Sequence, residues 1–172
     1  MALAYFITFS TYGTWLHGSA KGVGSVDLKH NVYGTPFVSP DADREQDERQ
    51  TMVQSPYVMD APRREVVRDA IVQFAQEKSW RLWALHVRTN HVHTVITADR
   101  EAARLMSDLK ARASRDLTVA GLDARDRRRW TRHGSTLHLF EWLKVQEKID
   151  YTLNGQGTPM ALYDGTKEPR TK

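Results

Sequence analysis

The order of apolar segments along this chain predicts an α+β domain built around an antiparallel sheet. Short runs rich in β-branched and aromatic residues alternate with longer segments whose apolar residues recur at helical spacing. Two strand-like runs in the middle of the chain are separated only by a tight turn, which favours a hairpin. The chain has 172 residues and a hydrophobic content of 40%, which fits one domain with one core.

The first half of the chain contains one strand, one long loop and one helix. The strand is predicted at residues 3–10, which are apolar and rich in β-formers. A polar stretch at about 11–60 shows no clear period and predicts a loop of unusual length. A helix then begins after Asp60, its predicted N-cap, with Pro62 in the first turn, and continues to about Lys78.

The second half supplies the remaining elements. In order, they are a strand at 81–88, a turn at Thr89-Asn90, a strand at 91–98, a helix at about 100–120, an arginine-rich loop at 121–134, a short strand near 135–140 and a last helix from about Glu141 to Asn154. Gly155 is expected to end that helix.

The resulting order is β-α-β-β-α-β with an added C-terminal helix, which carries a tyrosine. This is the ferredoxin-like (RRM-like) arrangement, in which the first and third strands occupy the middle of an antiparallel sheet. We therefore predict a single domain at residues 1–157, with the long loop at about 11–60, and a C-terminal tail at residues 158–172.

Composition excludes several classes of protein. Cysteine is absent, which excludes disulfides, zinc fingers, iron–sulfur clusters and thiol catalysis and fits a reducing cytoplasm. The apolar start at residues 1–9 is short and lacks a basic region, so it predicts a strand and not a signal peptide. No apolar run approaches the roughly 18 to 20 residues that span a bilayer. We expect a cytoplasmic protein without a membrane partner.

Basic residues cluster in one segment although the net charge is only +4. The cluster consists of Arg125, Arg127, Arg128, Arg129 and Arg132, and it surrounds Trp130. Guanidinium groups attract phosphates and an unstacked base can lie on an indole, so the segment predicts nucleic-acid binding. Further candidates are Tyr12 and Trp15 after the first strand and Lys110, Arg112 and Arg115 on the second helix. On composition alone, a solvated charged loop is an equally good interpretation.

The sharpest local motif is His91-Val92-His93 on the third predicted strand. Side chains alternate along a strand, so both imidazoles point to one face while Val92 points to the other. This arrangement is a two-ligand platform for a metal. The motif is short, and most chance occurrences of His-x-His bind nothing.

Tyr151 lies near the end of the last predicted helix. A phenol can attack phosphorus and hold the cut end as a phosphotyrosine; the alternative is a helix tyrosine that packs on the core with its hydroxyl at the surface. Asn154 shares the helix face of Tyr151, and Gln156 follows Gly155. Either amide oxygen is a candidate third metal ligand, and C-terminal capping polarity explains both residues equally well.

Taken together, these residues resemble the single-tyrosine HUH transposases, in particular the REP-associated tyrosine transposase-like proteins of bacteria. The resemblance is carried by Ile7–Gly18, Val87–His93, Leu109–Ala111, Trp130–Thr136 and Tyr151–Gly157. It implies a ferredoxin-like fold, Mg or Mn held by His91 and His93, and Tyr151 as the nucleophile. Relatives carry a polar third ligand four residues after the tyrosine. Here that position is Gly155, so Gln156 or Asn154 must substitute.

The resemblance therefore implies a metal-dependent endonuclease and strand transferase that acts on single-stranded DNA containing hairpins. Two alternatives stay open: a non-catalytic single-stranded nucleic-acid binder descended from a transposase, and a metal phosphodiesterase without a covalent intermediate. An RNA-recognition-like module needs aromatic residues on its exposed sheet face, where strand three offers histidines, and this favours the enzyme. Related enzymes include monomers and dimers, so a homodimer stays open. Bound to DNA, the protein would be associated with the nucleoid.

Overall fold

The computed structural model describes residues 1–14 and 42–168, apart from several side chains of the first helix. The elements are β1 (Ala4–Ser10), α1 (Ala42–Gln50), α2 (Ala61–Glu77), β2 (Arg81–Val87), β3 (His91–Thr97), α3 (Ala102–Val119), β4 (Ser135–Leu139), α4 (Trp142–Asn154) and β5 (Ala161–Asp164). A 3-10 turn at Gly165–Lys167 follows β5. Within the described residues, no helix is both long enough and apolar enough to cross a membrane.

All five strands form one antiparallel sheet in the order β4-β1-β3-β2-β5. This confirms the predicted class of a mixed fold with an antiparallel sheet. β3 is the central strand, with β1 and β2 on either side. The register places His93 of β3 opposite Thr8 of β1 and His86 of β2. The two-histidine motif therefore lies where neighbouring strands hold the backbone on both edges.

Helices α2 and α3 cover one face of the sheet. Asp60 caps α2, and its side chain accepts a hydrogen bond from Arg63 N at 3.1 Å, as the sequence predicted. The larger core lies under these helices and includes Ile7, Phe9, Val67, Ile71, Leu85, Val92, Ile96, Leu105 and Leu109. Burial of such side chains contributes about 1.5–3 kcal/mol each before conformational entropy is subtracted.

Helix α4 covers the other face. Its apolar stripe, Val145 and Ile149, packs with Ala84 and Val95 in a second and smaller core. Leu153, near the end of α4, packs against the same core. Tyr151 lies between Ile149 and Leu153 in the chain, and its ring meets His93 of β3 edge-on. Polar and aromatic groups therefore lie beside the apolar contacts of this helix.

Two segments differ from the sequence prediction. Within the predicted tail, Ala161–Asp164 forms β5, which pairs with β2 and buries Ala161. Four residues are too few for an alternating pattern to stand out from the surrounding Pro and Gly residues. Within the predicted long loop, Ala42–Gln50 forms α1, a strongly polar helix that has no apolar stripe to give a helical period. Trp15, a predicted DNA contact, lies outside the described residues.

Candidate active site

His91 and His93 lie side by side on one face of β3. Their ring centroids are 4.7 Å apart, with His93 buried and His91 half-buried. Val92 between them is fully buried in the core under α2 and α3. The strand alternation expected from the sequence is therefore present.

Each imidazole is oriented by a neighbouring side chain. Thr8 Oγ1 lies 2.7 Å from His93 Nδ1, and Asn90 Oδ1 lies 2.7 Å from His91 Nδ1. A metal-binding histidine is usually held in this way by a hydrogen bond to its other ring nitrogen. The arrangement leaves Nε2 of each ring as the coordinating atom.

Burial keeps both imidazoles neutral. It lowers the pKa of His93 to about 3, with a further contribution from His91, and it also lowers the pKa of His91. A hydrogen bond from each ring to the side chain of Gln156 acts in the opposite direction and does not outweigh burial. Neutral imidazole is the form that binds a cation.

Gln156 is the amide that meets the histidines. It is half-buried, hydrogen-bonds both rings, and its Nε2 lies 3.5 Å from the carbonyl oxygen of Tyr151. The structure does not bring Asn154 to the same place. Its side chain donates to Asp150 Oδ1 at 2.7 Å and lines a cleft on another side of α4. Of the two candidates for the third ligand, the geometry favours Gln156.

Tyr151 completes the cluster. Its ring meets His93 edge-on with a centroid distance of 5.7 Å, and Phe6 at 6.0 Å. Phe6 in turn stacks on His93 at 5.6 Å. The Tyr151 side chain is 43% exposed, so solvent and ligands can approach it. A Cβ at Gly155 would lie 2.9 Å from Tyr151 Cδ2, so glycine leaves room for the ring at this position.

A third histidine fixes the helix that carries Tyr151. His86 is fully buried, and its Nδ1 lies 3.2 Å from the carbonyl oxygen of Thr152 on α4. Its Nε2 accepts a hydrogen bond from Met160 N at 3.1 Å. Burial lowers the pKa of His86 to about 4, so the ring is neutral and uses one nitrogen as donor and the other as acceptor. These contacts join β2, α4 and the segment that leads to β5.

Three polar groups that organise this site were not predicted from the sequence. Thr8 and His86 lie opposite His93 because of the register in which the strands pair. The residue pattern of a single strand does not determine that register. Asn90 directly precedes His91, and this adjacency was the signal that could have identified it.

Within the described residues, no group of three or more His, Cys, Asp or Glu side chains could hold a metal ion. The donor set at this site is instead two imidazoles and one amide. Imidazole and amide oxygen are both common ligands of divalent cations. The residues therefore fit a cation, although with fewer charged ligands than a carboxylate site would supply.

The structure corrects the prediction for much of the arginine-rich segment. Arg129 is only 5% exposed, and its Nε lies 3.0 Å from Asp123 Oδ2. Asp123 also accepts hydrogen bonds from Tyr57 Oη and Arg63 Nε. Arg129 donates further to Thr118 and to backbone carbonyls. The guanidinium of this residue is therefore engaged in a buried ion pair within the fold.

Other predicted DNA contacts are also engaged within the fold. Arg127 donates to Gln54 and to the carbonyls of Ser55 and Pro56. Buried Lys110 donates to the carbonyls of Thr131 and His133. Arg112 pairs with Glu77 and Asp116. Trp130 Nε1 donates hydrogen bonds to Lys110 O and Ser114 Oγ. Tyr12 Oη accepts a hydrogen bond from Val53 N. The pattern of charges along the sequence did not predict these hydrogen-bond partners.

Three of the predicted basic contacts have exposed side chains: Arg115, Arg128 and Arg132. Arg128 also lies over the ring of Tyr12, with its guanidinium carbon 5.8 Å from the ring centroid. Their role in DNA binding stays a prediction.

A comparison with protein families finds a similarity in the middle of the chain. The family model described as "Transposase IS200 like" matches residues 53–135, slightly less than half of the chain. The match contains His91 and His93 and ends before α4 and Tyr151. The resemblance expected from the sequence motifs is thereby confirmed. No curated protein matches the chain.

Two solved structures are similar in outline. A REP-associated tyrosine transposase bound to a REP hairpin is 12% identical, with a TM-score of 0.49 over 88% of this chain. The chain spans only 65% of that protein's length. A candidate transposase from Deinococcus radiodurans is 15% identical, with a TM-score of 0.43 over 86% of this chain and 87% of the other.

Proposed function

We propose that the chain is a metal-dependent endonuclease and strand transferase that acts on single-stranded DNA through a phosphotyrosine at Tyr151. The observation that carries the proposal is the contact between the exposed Tyr151 ring and His93, within a cluster that also holds His91 and Gln156. The match of residues 53–135 to the IS200-like transposase model supports a transposase-like reaction. The hairpin in the substrate is what the resemblance of the sequence to REP-associated transposases implies.

His91, His93 and Gln156 would hold the divalent cation. Imidazole ligands suit later transition metals better than Mg, so Mn is the better match on ligand chemistry, with Mg as the alternative. When bound, the cation supplies Lewis-acid polarisation of the scissile phosphate and stabilises charge on the leaving oxygen. Thr8 and Asn90 keep the two rings in place by their hydrogen bonds with Nδ1, and Asn90 Oδ1 accepts the one from His91.

Tyr151 performs the covalent step. Its Oη forms a bond to phosphorus as the bond from phosphorus to the 3′-oxygen breaks. The phenol proton passes to solvent, and the departing 3′-oxygen takes a proton to become a free hydroxyl. The 5′-phosphotyrosine keeps the energy of the phosphodiester bond, so attack by another 3′-hydroxyl rejoins strands without an added energy source.

The order of the strands and the position of the helices support the same proposed function. The strands β4-β1-β3-β2, with α2 and α3 on one face, follow the order of a ferredoxin-like core. We therefore propose that the chain is a ferredoxin-like domain extended by α4, which brings the tyrosine, and by β5. In this proposal, the metal ligands lie on the central strand and the nucleophile lies on a helix that packs over it.

The test is a covalent trapping experiment. Labelled hairpin oligonucleotides with single-stranded flanks are incubated with the protein and Mn and are then resolved on a denaturing gel. We expect a protein–DNA adduct for the wild type, none for Tyr151→Phe, and none with a chelator. DNA binding without an adduct would identify a non-catalytic binder, and cleavage without an adduct would identify a plain phosphodiesterase.

A further inference from the structure

We infer that Lys148 is a further catalytic residue, whose ammonium group binds a non-bridging oxygen of the phosphate that Tyr151 attacks. The inference rests on the proposed function, because it assigns a role in the same reaction. It concerns a residue that neither the histidine motif nor the arginine-rich segment includes.

Lys148 and Tyr151 lie three residues apart on α4 and therefore share one face of the helix. Lys148 Nζ is 5.4 Å from the centroid of the Tyr151 ring and 5.0 Å from that of Phe6. Phe6 stacks on His93, which also meets Tyr151 edge-on. The ammonium, the phenol and the metal-ligand histidine thus surround one small region beside the exposed tyrosine.

Within the described part of the chain, no carboxylate forms an ion pair with Lys148, and the contacts of its ammonium group are with aromatic rings. The nearest acidic residues of α4 have other partners: Glu147 pairs with Lys144 at 2.9 Å, and Asp150 accepts from Asn154 at 2.7 Å. The half-buried ammonium is therefore available to an anion brought by a ligand.

A cation at this position matches the charge that develops in the reaction. During attack, negative charge accumulates on the non-bridging oxygens, and a prepositioned donor stabilises it more than it stabilises the ground state. Phe6 and Tyr151 hold the ammonium without neutralising it. Lys148 acts only by donating hydrogen bonds to the phosphate, so the bonds made and broken are those of the tyrosine step alone.

Lys144 on the same helix provides a matched control. It is exposed and already paired with Glu147, and no ring contact joins it to Tyr151. The experiment measures single-turnover adduct formation with a labelled hairpin oligonucleotide and Mn for wild type, Lys148→Met, Lys148→Arg and Lys144→Met. DNA affinity is measured in parallel by fluorescence anisotropy.

We expect Lys148→Met to slow adduct formation at saturating DNA by about 100-fold, as for loss of one transition-state donor. DNA affinity should fall by less than about tenfold, in line with loss of one phosphate contact. Lys148→Arg should recover most of the rate, and Lys144→Met should match the wild type. Circular dichroism melting checks folding, and Lys148→Gln replaces the methionine variant if that variant does not fold.

Equal rates for wild type and Lys148→Met, or an equal loss in Lys144→Met, would overturn the inference and leave the tyrosine mechanism intact. A rate loss that arginine does not restore would make Lys148 structural and would also overturn it. Failure of the wild type to form any adduct would instead refute the proposed function, and the inference with it.

Discussion

The two faces of the sheet differ in what covers them. Under α2 and α3, alternate residues such as Phe9 and Val92 are buried in the larger core. Under α4, the apolar core is smaller and lies beside His91, His93 and Tyr151, which is 43% exposed. Neighbouring residues of β3 thus differ in their surroundings: one face packs in the larger core, and the other places two imidazoles next to an exposed tyrosine.

Removal of the phenol oxygen of Tyr151 is expected to have the largest effect on the reaction. We expect Tyr151→Phe to abolish adduct formation, because the ring and its edge-on contact with His93 survive while the nucleophile is lost. The free energy of unfolding should change by less than about 0.5 kcal/mol, since the side chain is exposed. A denaturing gel and urea unfolding measure the two quantities. Retained cleavage would show that another group attacks the phosphate.

Adjacent substitutions on β3 compare the faces directly. We expect His93→Ala, and likewise His91→Ala, to lose Mn binding and Mn-dependent cleavage, because each removes a ligand from a donor set of two imidazoles. Val92→Ala should keep Mn binding and lose about 2 kcal/mol of stability, because it leaves a cavity in the larger core. Titration calorimetry and urea unfolding provide the readouts. Equal Mn affinity in all three variants would refute the metal assignment.

The buried ion pair of Asp123 and Arg129 is expected to stabilise the fold and to take no part in the reaction. Both side chains are 4% exposed. Removing one partner from a buried pair typically costs about 3–5 kcal/mol, so Asp123→Asn should strongly destabilise the fold at neutral pH. Its effect on the reaction should follow only from that loss of folded protein. Urea unfolding at pH 7 measures the cost, and a loss below about 1 kcal/mol would show that the pair is not structural.

The same pair predicts a dependence on pH. Burial raises the pKa of Asp123, but hydrogen bonds from Tyr57, Arg63 and Arg129 outweigh it and hold the pKa below its usual value. The folded-state pKa is therefore lower than that of the unfolded chain. The stabilisation is present above the unfolded pKa of about 3.9 and is lost as the pH falls through the folded pKa. Wild type should lose more stability than Asp123→Asn between pH 5 and pH 3, a range chosen about that value.

Local sequence signals were sufficient for much of the fold and for part of the site. Asp60 and Pro62 marked the start of α2, and strand alternation placed His91 and His93 on one face. Those signals depend on near neighbours along the chain. Contacts that require register or loop packing were not predictable in this way, so Thr8, which orients His93, was missed.

The internal partners of the arginine-rich segment were not predictable for the same reason. Clustered guanidinium groups have the same appearance in sequence whether they face a phosphate or an internal acceptor. Arg129 turns to Asp123, and Arg127 reaches Gln54, far away in the chain. Exposure therefore separates the members of one sequence motif into structural residues and candidate DNA contacts.

The smallest expected effect concerns the candidates that remain exposed, Arg128 and Arg132. Because both side chains are exposed, replacing each arginine with Gln should change the free energy of unfolding by less than about 0.5 kcal/mol. If each contacts one phosphate, each loss should reduce the slope of log affinity against log salt by about 0.7 for single-stranded DNA.

The Tyr151→Phe background prevents cleavage while affinity is measured by anisotropy at several salt concentrations. Arg129→Gln is the matched comparison, since it should destabilise the fold without changing the slope for the protein that remains folded. An unchanged slope for Arg128→Gln and Arg132→Gln would remove this loop from the DNA-binding surface and leave the α4 face, with Lys148 and the histidines, as the place where phosphate is bound.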